Sequence, residues 1–354
     1  MPEFNFLTTH VGSVPHPSAE MIIPWLSAHL EAPAWPQLPK RTFRENMYVQ
    51  YSPTLPGIVL DEERERIYFD THSDLTPALE IFYGFILAED VEAFALQNGY
   101  AQGFFAMLEA LRSSAGVELP PERSWAKGQV TGPLSFGLTV ADQDLRASLY
   151  NESLADVLVK NAAMIARWQV RQLKTVRPNV IIFVDEPYMA SFGSAFISLS
   201  REQVIAMLDE VFAAIHAEGA LAGVHCCANT DWGVLLTTKV DILNLDAYGY
   251  LENLALYPAE LRQFLDRRGA VAWGIVPNNE HVLDETPQSL ADRLRAGFKV
   301  ITEKARARGV VIQPEEFAAR SLITPACGLG STTVEIAGQV FETLAKTGAV
   351  LKEG

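Results

Sequence analysis

Long apolar runs are missing from this 354-residue chain. No segment approaches the roughly 18 uninterrupted apolar residues of a membrane span. Met1-Pro2-Glu3-Phe4 has no basic stretch leading into an apolar one, so a leader peptide is not expected either. Cysteine is scarce: there are three, two of them adjacent, which excludes a disulfide framework and fits a reducing compartment. A cytoplasmic location is therefore expected. Positive charge is in deficit, with 28 Lys and Arg against 43 Asp and Glu and a formal net charge of -15. Phosphates and anionic lipid headgroups would be repelled, so neither nucleic acid nor a membrane surface is an expected partner. Internal repeats and low-complexity segments are absent as well.

What the chain does have is apolar residues, at 49% of the total, enough to bury a large core. Their spacing changes along the sequence. Phe4 to Thr9 reads as a first strand, and an apolar helix begins at Ser18. Residues 31–75 then interrupt the pattern with Trp35-Pro36-Gln37-Leu38-Pro39 and Ser52-Pro53-Thr54-Leu55-Pro56-Gly57, and read as an inserted lid or binding loop. Residues 73–113 have helical spacing in two or three pieces. From Trp125 onward short apolar runs alternate with helices: strands over 125–130, 179–184, 221–224, 241–245, 270–275 and near 322, with helices over 153–175, 201–217, 231–238, 251–267, 288–308 and 333–347. Strands separated by helices of 10–20 residues require crossover connections and a parallel sheet. The pattern predicts an α/β fold, a single-domain (β/α)8 TIM barrel spanning 1–354, with the insertion after its first βα unit.

The unusual residues gather at the C-terminal ends of these predicted strands, where a barrel builds its active site. They are Ser13, Thr131-Gly132-Pro133, Asp185-Glu186, His225 with Cys227, Asp246, Asn278 and Cys327-Gly328. Strand alternation turns His225 and Cys227 to one face and Cys226 to the other, which assigns Cys226 to packing. One imidazole, two thiolates and a carboxylate from His225, Cys227, Cys327 and Asp246 would suit Zn²⁺, with the oxygen ligand exchangeable for substrate. A thiol substrate gains most from such a site, because metal coordination removes its proton near neutral pH.

In order along the chain, Thr8-Thr9-His10-Val11-Gly12-Ser13, Thr131-Gly132-Pro133, Asp185-Glu186-Pro187, His225-Cys226-Cys227 and Pro325-Ala326-Cys327-Gly328-Leu329 resemble the catalytic barrel of cobalamin-independent methionine synthase. That family shares a superfamily with uroporphyrinogen decarboxylase and with zinc methyltransferases that use methyl-corrinoid proteins. The resemblance runs from residue 7 to about residue 345. It implies a zinc-dependent methyltransferase in which His225, Cys227 and Cys327 hold the metal and Asp246 takes the place of a Glu. Gly12 and Ser13 would bind an amino acid's carboxylate and Asp185 its ammonium, with Asp185 and Glu186 as the catalytic carboxylates. Gly132 and Pro133 would lie against the methyl donor.

The departures from that pattern bear on the donor. The family's second barrel has no counterpart here, and no Trp follows Gly132-Pro133 to stack on a pterin. The family's histidine after the sixth strand is replaced by Ile275-Val276-Pro277-Asn278, with His281 nearby. These differences point to a methyl-corrinoid such as methylcobalamin, presented by a corrinoid protein, rather than to folate. Two alternatives make different demands. A uroporphyrinogen-decarboxylase-like lyase needs no metal and would use Arg41 and Arg44 on acidic side chains, whereas a non-catalytic zinc- or corrinoid-handling protein would have no exchangeable ligand.

Overall fold

The computed structural model describes residues 2–113, 120–194 and 197–353. Its strands are β1 (Leu7–Thr8), β2 (Ile58–Asp61), β3 (Arg66–Phe69), β4 (Trp125–Thr131), β5 (Asn179–Asp185), β6 (Leu221–Cys226), β7 (Ile242–Leu245), β8 (Ala270–Val276) and β9 (Ser321–Pro325). Seven of them form one curled sheet in the order β1-β9-β8-β7-β6-β5-β4, parallel throughout. β2 and β3 pair separately as an antiparallel hairpin. Every residue of β4 and of β8 is buried, as expected where helices cover one face and the curled interior the other.

Helices return the chain between strands, and their ends carry the usual stop and start chemistry. Asn151 caps Glu152–Lys174 by accepting from the N–H groups of Ser153 and Leu154. Ser200 and Thr286 close capping boxes on Arg201–Ala217 and Pro287–Ala307. The helix predicted over 251–267 is two pieces, a 3₁₀ turn at Leu251–Leu256 and an α-helix at Pro258–Asp266. Pro258 cannot continue a preceding helix but starts a new one well.

The expected eighth strand is a correction. Among the described residues the sheet has seven strands, and its outer members β1 and β4 do not pair with each other. Extended chain at 32–37 spans the space between them. Ala32 N–H donates to Thr8 O and Gln37 N–H to Gly12 O on one side, while Trp35 N–H donates to Lys127 O and Lys127 N–H to Pro33 O on the other. Pro33 and Pro36 have no N–H to give, so this segment makes scattered bonds rather than a ladder. The first part of the supposed insertion therefore occupies the place of a missing stave. Its continuation packs over the C-terminal ends of the strands, where Thr131 Oγ1 donates to Met47 O (2.6 Å) and Tyr51 Oη to Gln129 O (2.9 Å).

Inside the curl the side chains change character with height. Leu7, Ile181, Phe183, Ile242, Ala272 and Leu322 form an apolar plug toward the N-terminal ends. Two residues further along their strands, on the same face, Asp185 follows Phe183, Asn244 follows Ile242 and Thr324 follows Leu322, and His225 continues that level on β6. Alternation along each strand thus stacks a polar layer on the plug and opens it toward the C-terminal mouth.

Candidate metal centre

Asp185 and His225 are register partners on β5 and β6, and His225 and Asn244 are partners on β6 and β7. Cys227 follows the end of β6 and Cys327 follows the end of β9. The ligand atoms of His225, Cys227 and Cys327 all lie within 4.8 Å of one another. Cys327 Sγ is 3.7 Å from His225 Nε2. Metal bonds of about 2.3 Å to sulfur and about 2.0–2.1 Å to nitrogen place tetrahedral neighbours about 3.5–3.8 Å apart, so the separation fits a shared ion. The three donors are the soft and borderline types that zinc takes. Hydrogen bonds from Cys327 and His225 hold the Cys227 thiol down to about 4, and the shared proton correspondingly pushes Cys327 up.

Cys226 is turned away from this cluster. It is buried, its Sγ donates to Ala228 O at 3.4 Å, and burial pushes the thiol up to about 12. Asp246 is not in the cluster. Its Oδ1 accepts from Gly249 N–H (2.8 Å) and caps the helical turn Ala247–Tyr250. Among the described residues the cluster therefore has three protein donors, the number found in zinc sites that keep a position for substrate.

A cavity of about 410 Å³ opens over these donors. Ser13, Gln37, Glu45, Asn46, Met47, Asp185, His225, Cys227 and Cys327 line it, which brings the 31–75 segment into the mouth. Asp185 is buried and its Oδ1 has no hydrogen-bond partner. Burial pushes its carboxyl up to about 6 against the opposing pull of His225 and Lys127. Gly12 and Ser13 form the turn that clasps the loop after Cys327: Leu329 N–H donates to Ser13 O (2.9 Å) and Gly330 N–H to Ser13 Oγ (3.2 Å). A Cβ on Gly12 would press against the Gln37 and Gln129 side chains, and its φ of +156° is one L side chains rarely adopt.

Glu186, the next residue after Asp185, is occupied differently. Its carboxylate accepts from Leu134 N–H (3.0 Å), Ser135 N–H (2.7 Å) and Ser135 Oγ (2.6 Å). Those donors are the first turn of the helix Pro133–Thr139, where a carboxylate also meets the favourable end of the helix dipole. Burial pushes Glu186 up to about 7 while these three bonds work against it. Gly132 is explained by the same contact, because a Cβ there would sit on the Glu186 carboxylate. Gly132 and Pro133 are buried in this joint and are not among the residues lining the cavity.

No family model and no curated protein matches this sequence. Solved structures do. A B12-independent methionine synthase from Shewanella sp. W3-18-1, determined in complex with selenomethionine, is 17% identical with a TM-score of 0.53, covering 98% of this chain and 97% of that one. A methyltransferase from Methanosarcina mazei is 13% identical with a TM-score of 0.57, covering 100% of this chain and 94% of that one. The likeness is one of fold. It extends over the whole length of both methyltransferases, so the curled sheet and its surrounding helices are theirs too.

Within this methyltransferase-like fold, Lys127 had no sequence signal beyond a charge in the middle of an apolar strand. It is fully buried, with Nζ donating to Val11 O (2.7 Å) and lying 4.3 Å from the Phe183 ring centroid. Burial pushes its ammonium down to about 7, and Asp185 opposes the shift. Other residues with notable side chains are not among those lining the cavity. Arg41 pairs with Glu45 and Arg44 with Glu62. Trp35 is buried with Nε1 on Gln169 Oε1 (2.8 Å), Phe136 is buried, and His281 is exposed beside Asp284. Asn278 Nδ2 reaches Gly328 O at 3.4 Å. A larger cavity, about 650 Å³, lies at the opposite end, against the first residues of β4, β5 and β6, away from the His and Cys donors. No described helix is long and apolar enough to cross a membrane.

Proposed function

We propose that this single-domain protein is a zinc-dependent methyltransferase that moves a methyl group to the thiol of an amino acid resembling homocysteine. The observation that carries the reading is the convergence of His225, Cys227 and Cys327 within 4.8 Å under an open cavity. A metal ion held by these three residues would lower the pKa of an incoming thiol and so supply a nucleophile at neutral pH. The chain's own contribution is to orient that thiol's owner. Asp185, with one buried oxygen lacking a partner, meets an ammonium, and the Gly12-Ser13 turn faces the carboxylate from across the mouth. Glu45, Asn46 and Met47 form the wall over which the methyl donor must reach.

We further propose a methyl-corrinoid, presented by a corrinoid protein, as the donor in place of folate. Phe136, which follows Gly132-Pro133, and Trp35 of the 31–75 segment are both buried in the core and offer no exposed ring on which a pterin could stack. The lyase alternative needs free arginines, and Arg41 and Arg44 are engaged by carboxylates. The reading is tested by metal analysis of the purified protein together with homocysteine methylation supplied in parallel with methylcobalamin and with mono- and triglutamyl methyltetrahydrofolate. One zinc per chain with turnover on methylcobalamin is expected. Turnover with folate that matches the corrinoid overturns the donor, and protein without stoichiometric zinc overturns the metal.

A further inference from the structure

Beneath the metal cluster a hydrogen-bond belt crosses four adjacent strands. On β6, His225 Nδ1 lies 2.6 Å from Asn244 Oδ1 of β7. The other end of the same amide, Asn244 Nδ2, donates to Ala272 O of β8 (2.7 Å) and to Thr324 Oγ1 of β9 (2.9 Å). His225, Asn244 and Thr324 are all buried.

The direction of this belt follows from donor and acceptor chemistry. The Ala272 carbonyl can only accept, so the amide nitrogen of Asn244 must face it. The amide oxygen then faces His225, and an oxygen acceptor at 2.6 Å requires a proton on Nδ1. The lone pair of the imidazole is thereby placed on Nε2, the nitrogen that faces Cys327 Sγ. A hydrogen-bond acceptor on the distal N–H fixes ring orientation and raises the basicity of the ligating nitrogen.

We infer that Asn244 is a positioning residue for the metal, locking His225 as the Nδ1–H tautomer with Nε2 as ligand, and that Thr324 and the Ala272 carbonyl set the orientation of Asn244. This goes beyond the proposed function and rests on its metal. The asparagine lies mid-strand among apolar neighbours, Ile242-Leu243-Asn244-Leu245, and carries no ligand pattern of its own. Its side chain takes its meaning from the strands on either side.

Zinc affinity measured by chelator competition on the full-length protein tests the inference, with thermal melting of the metal-free protein as the stability control. Asn244→Leu should lower zinc affinity by about 10–100-fold, the range for outer partners of a metal-bound histidine. Thr324→Val should shift affinity in the same direction by less, since Ala272 still orients the amide. Long-range ¹H–¹⁵N spectra of the zinc-loaded wild type should show His225 protonated at Nδ1 and metal-bound at Nε2, a readout that needs no variant to fold. Melting that drops while affinity stays unchanged in a folded variant, or a spectrum with the proton on Nε2, overturns the inference and leaves the zinc reading standing. A wild type that binds no zinc overturns both.

Discussion

Asp185 and Glu186 close β5 on one flank of the mouth, while His225, Cys227 and Cys327 cross the other flank between β6 and β9. The carboxylate flank is divided within itself. Glu186 is saturated by three donors and joins a helix to the sheet, whereas Asp185, one residue earlier, keeps an oxygen without a partner. On the thiol flank the three donors have mainly one another, and a single outer contact to Asn244 aims the imidazole. Buried polar groups that are fully satisfied build architecture, and those left short of partners mark where a ligand comes. By that criterion Asp185 belongs with the thiol flank although it adjoins Glu186 in sequence.

The largest expected effect lies on the thiol flank. Cys227→Ser or Cys327→Ser should remove stoichiometric zinc, a loss beyond the roughly 100-fold expected from an outer contact, as measured by elemental analysis after dialysis. Full metal retention by both variants would dissolve the contrast between the flanks. Next comes Glu186→Ala, which strands two N–H groups at a helix start at about 1–3 kcal/mol each. It should cost about 3 kcal/mol in denaturant unfolding of the metal-free protein while zinc affinity holds.

Asp185→Asn should act in the opposite way, weakening acceptor binding by about 1–3 kcal/mol with no loss of stability, as calorimetric titration and unfolding would show. The carboxyl is raised to about 6 by burial, so its charge is an expense to the fold above that pH rather than a support. Its contribution to stability therefore improves as pH falls through about 6, while affinity for an ammonium-bearing acceptor declines over the same range. A stability profile that falls there with acid would assign Asp185 to the architectural side. The smallest effect is expected from Cys226→Ala, with unchanged metal content and a stability cost of about 1 kcal/mol. Loss of metal in that variant would mean that the neighbouring thiols exchange roles.

Much of this was legible in the sequence where the physics is local. The apolar runs over 179–184, 241–245 and 270–275 reappear as β5, β7 and β8, and the alternation that separates Cys226 from His225 and Cys227 follows from the period of a strand. Partnerships between distant segments were not legible. The 32–37 stave is hidden by Pro33 and Pro36, which read as loop because they cannot sustain a ladder. The work of Glu186 depends on N–H groups 51 and 52 residues away, so the sequence shows only a carboxylate at a strand end. Asp246 reads as a ligand from its strand-end position and from the resemblance, and the bond from Gly249 N–H to its Oδ1 is a local turn contact that neither reveals. Lys127 and Asn244 carry polar heads inside apolar strands, and only the curl of the sheet reveals that their side chains point into a polar layer.

The pairing of β1 with β9 brings Leu7 beside Leu322 and Thr8 beside Ile323, and Glu31 meets Lys352 nearby. During synthesis the first strand must wait for β9, more than 300 residues later, to leave the ribosome before its sheet partner exists. At ordinary elongation rates that interval is tens of seconds, long against the microseconds in which helices form. Over that time the nascent chain presents an unpaired strand and an incomplete seam at 32–37, an aggregation hazard that grows with the rate of expression. The sheet thus closes only once β9 has been made, and lowering the rate of expression or supplying a holdase chaperone should raise the yield of native protein more than any change at the metal.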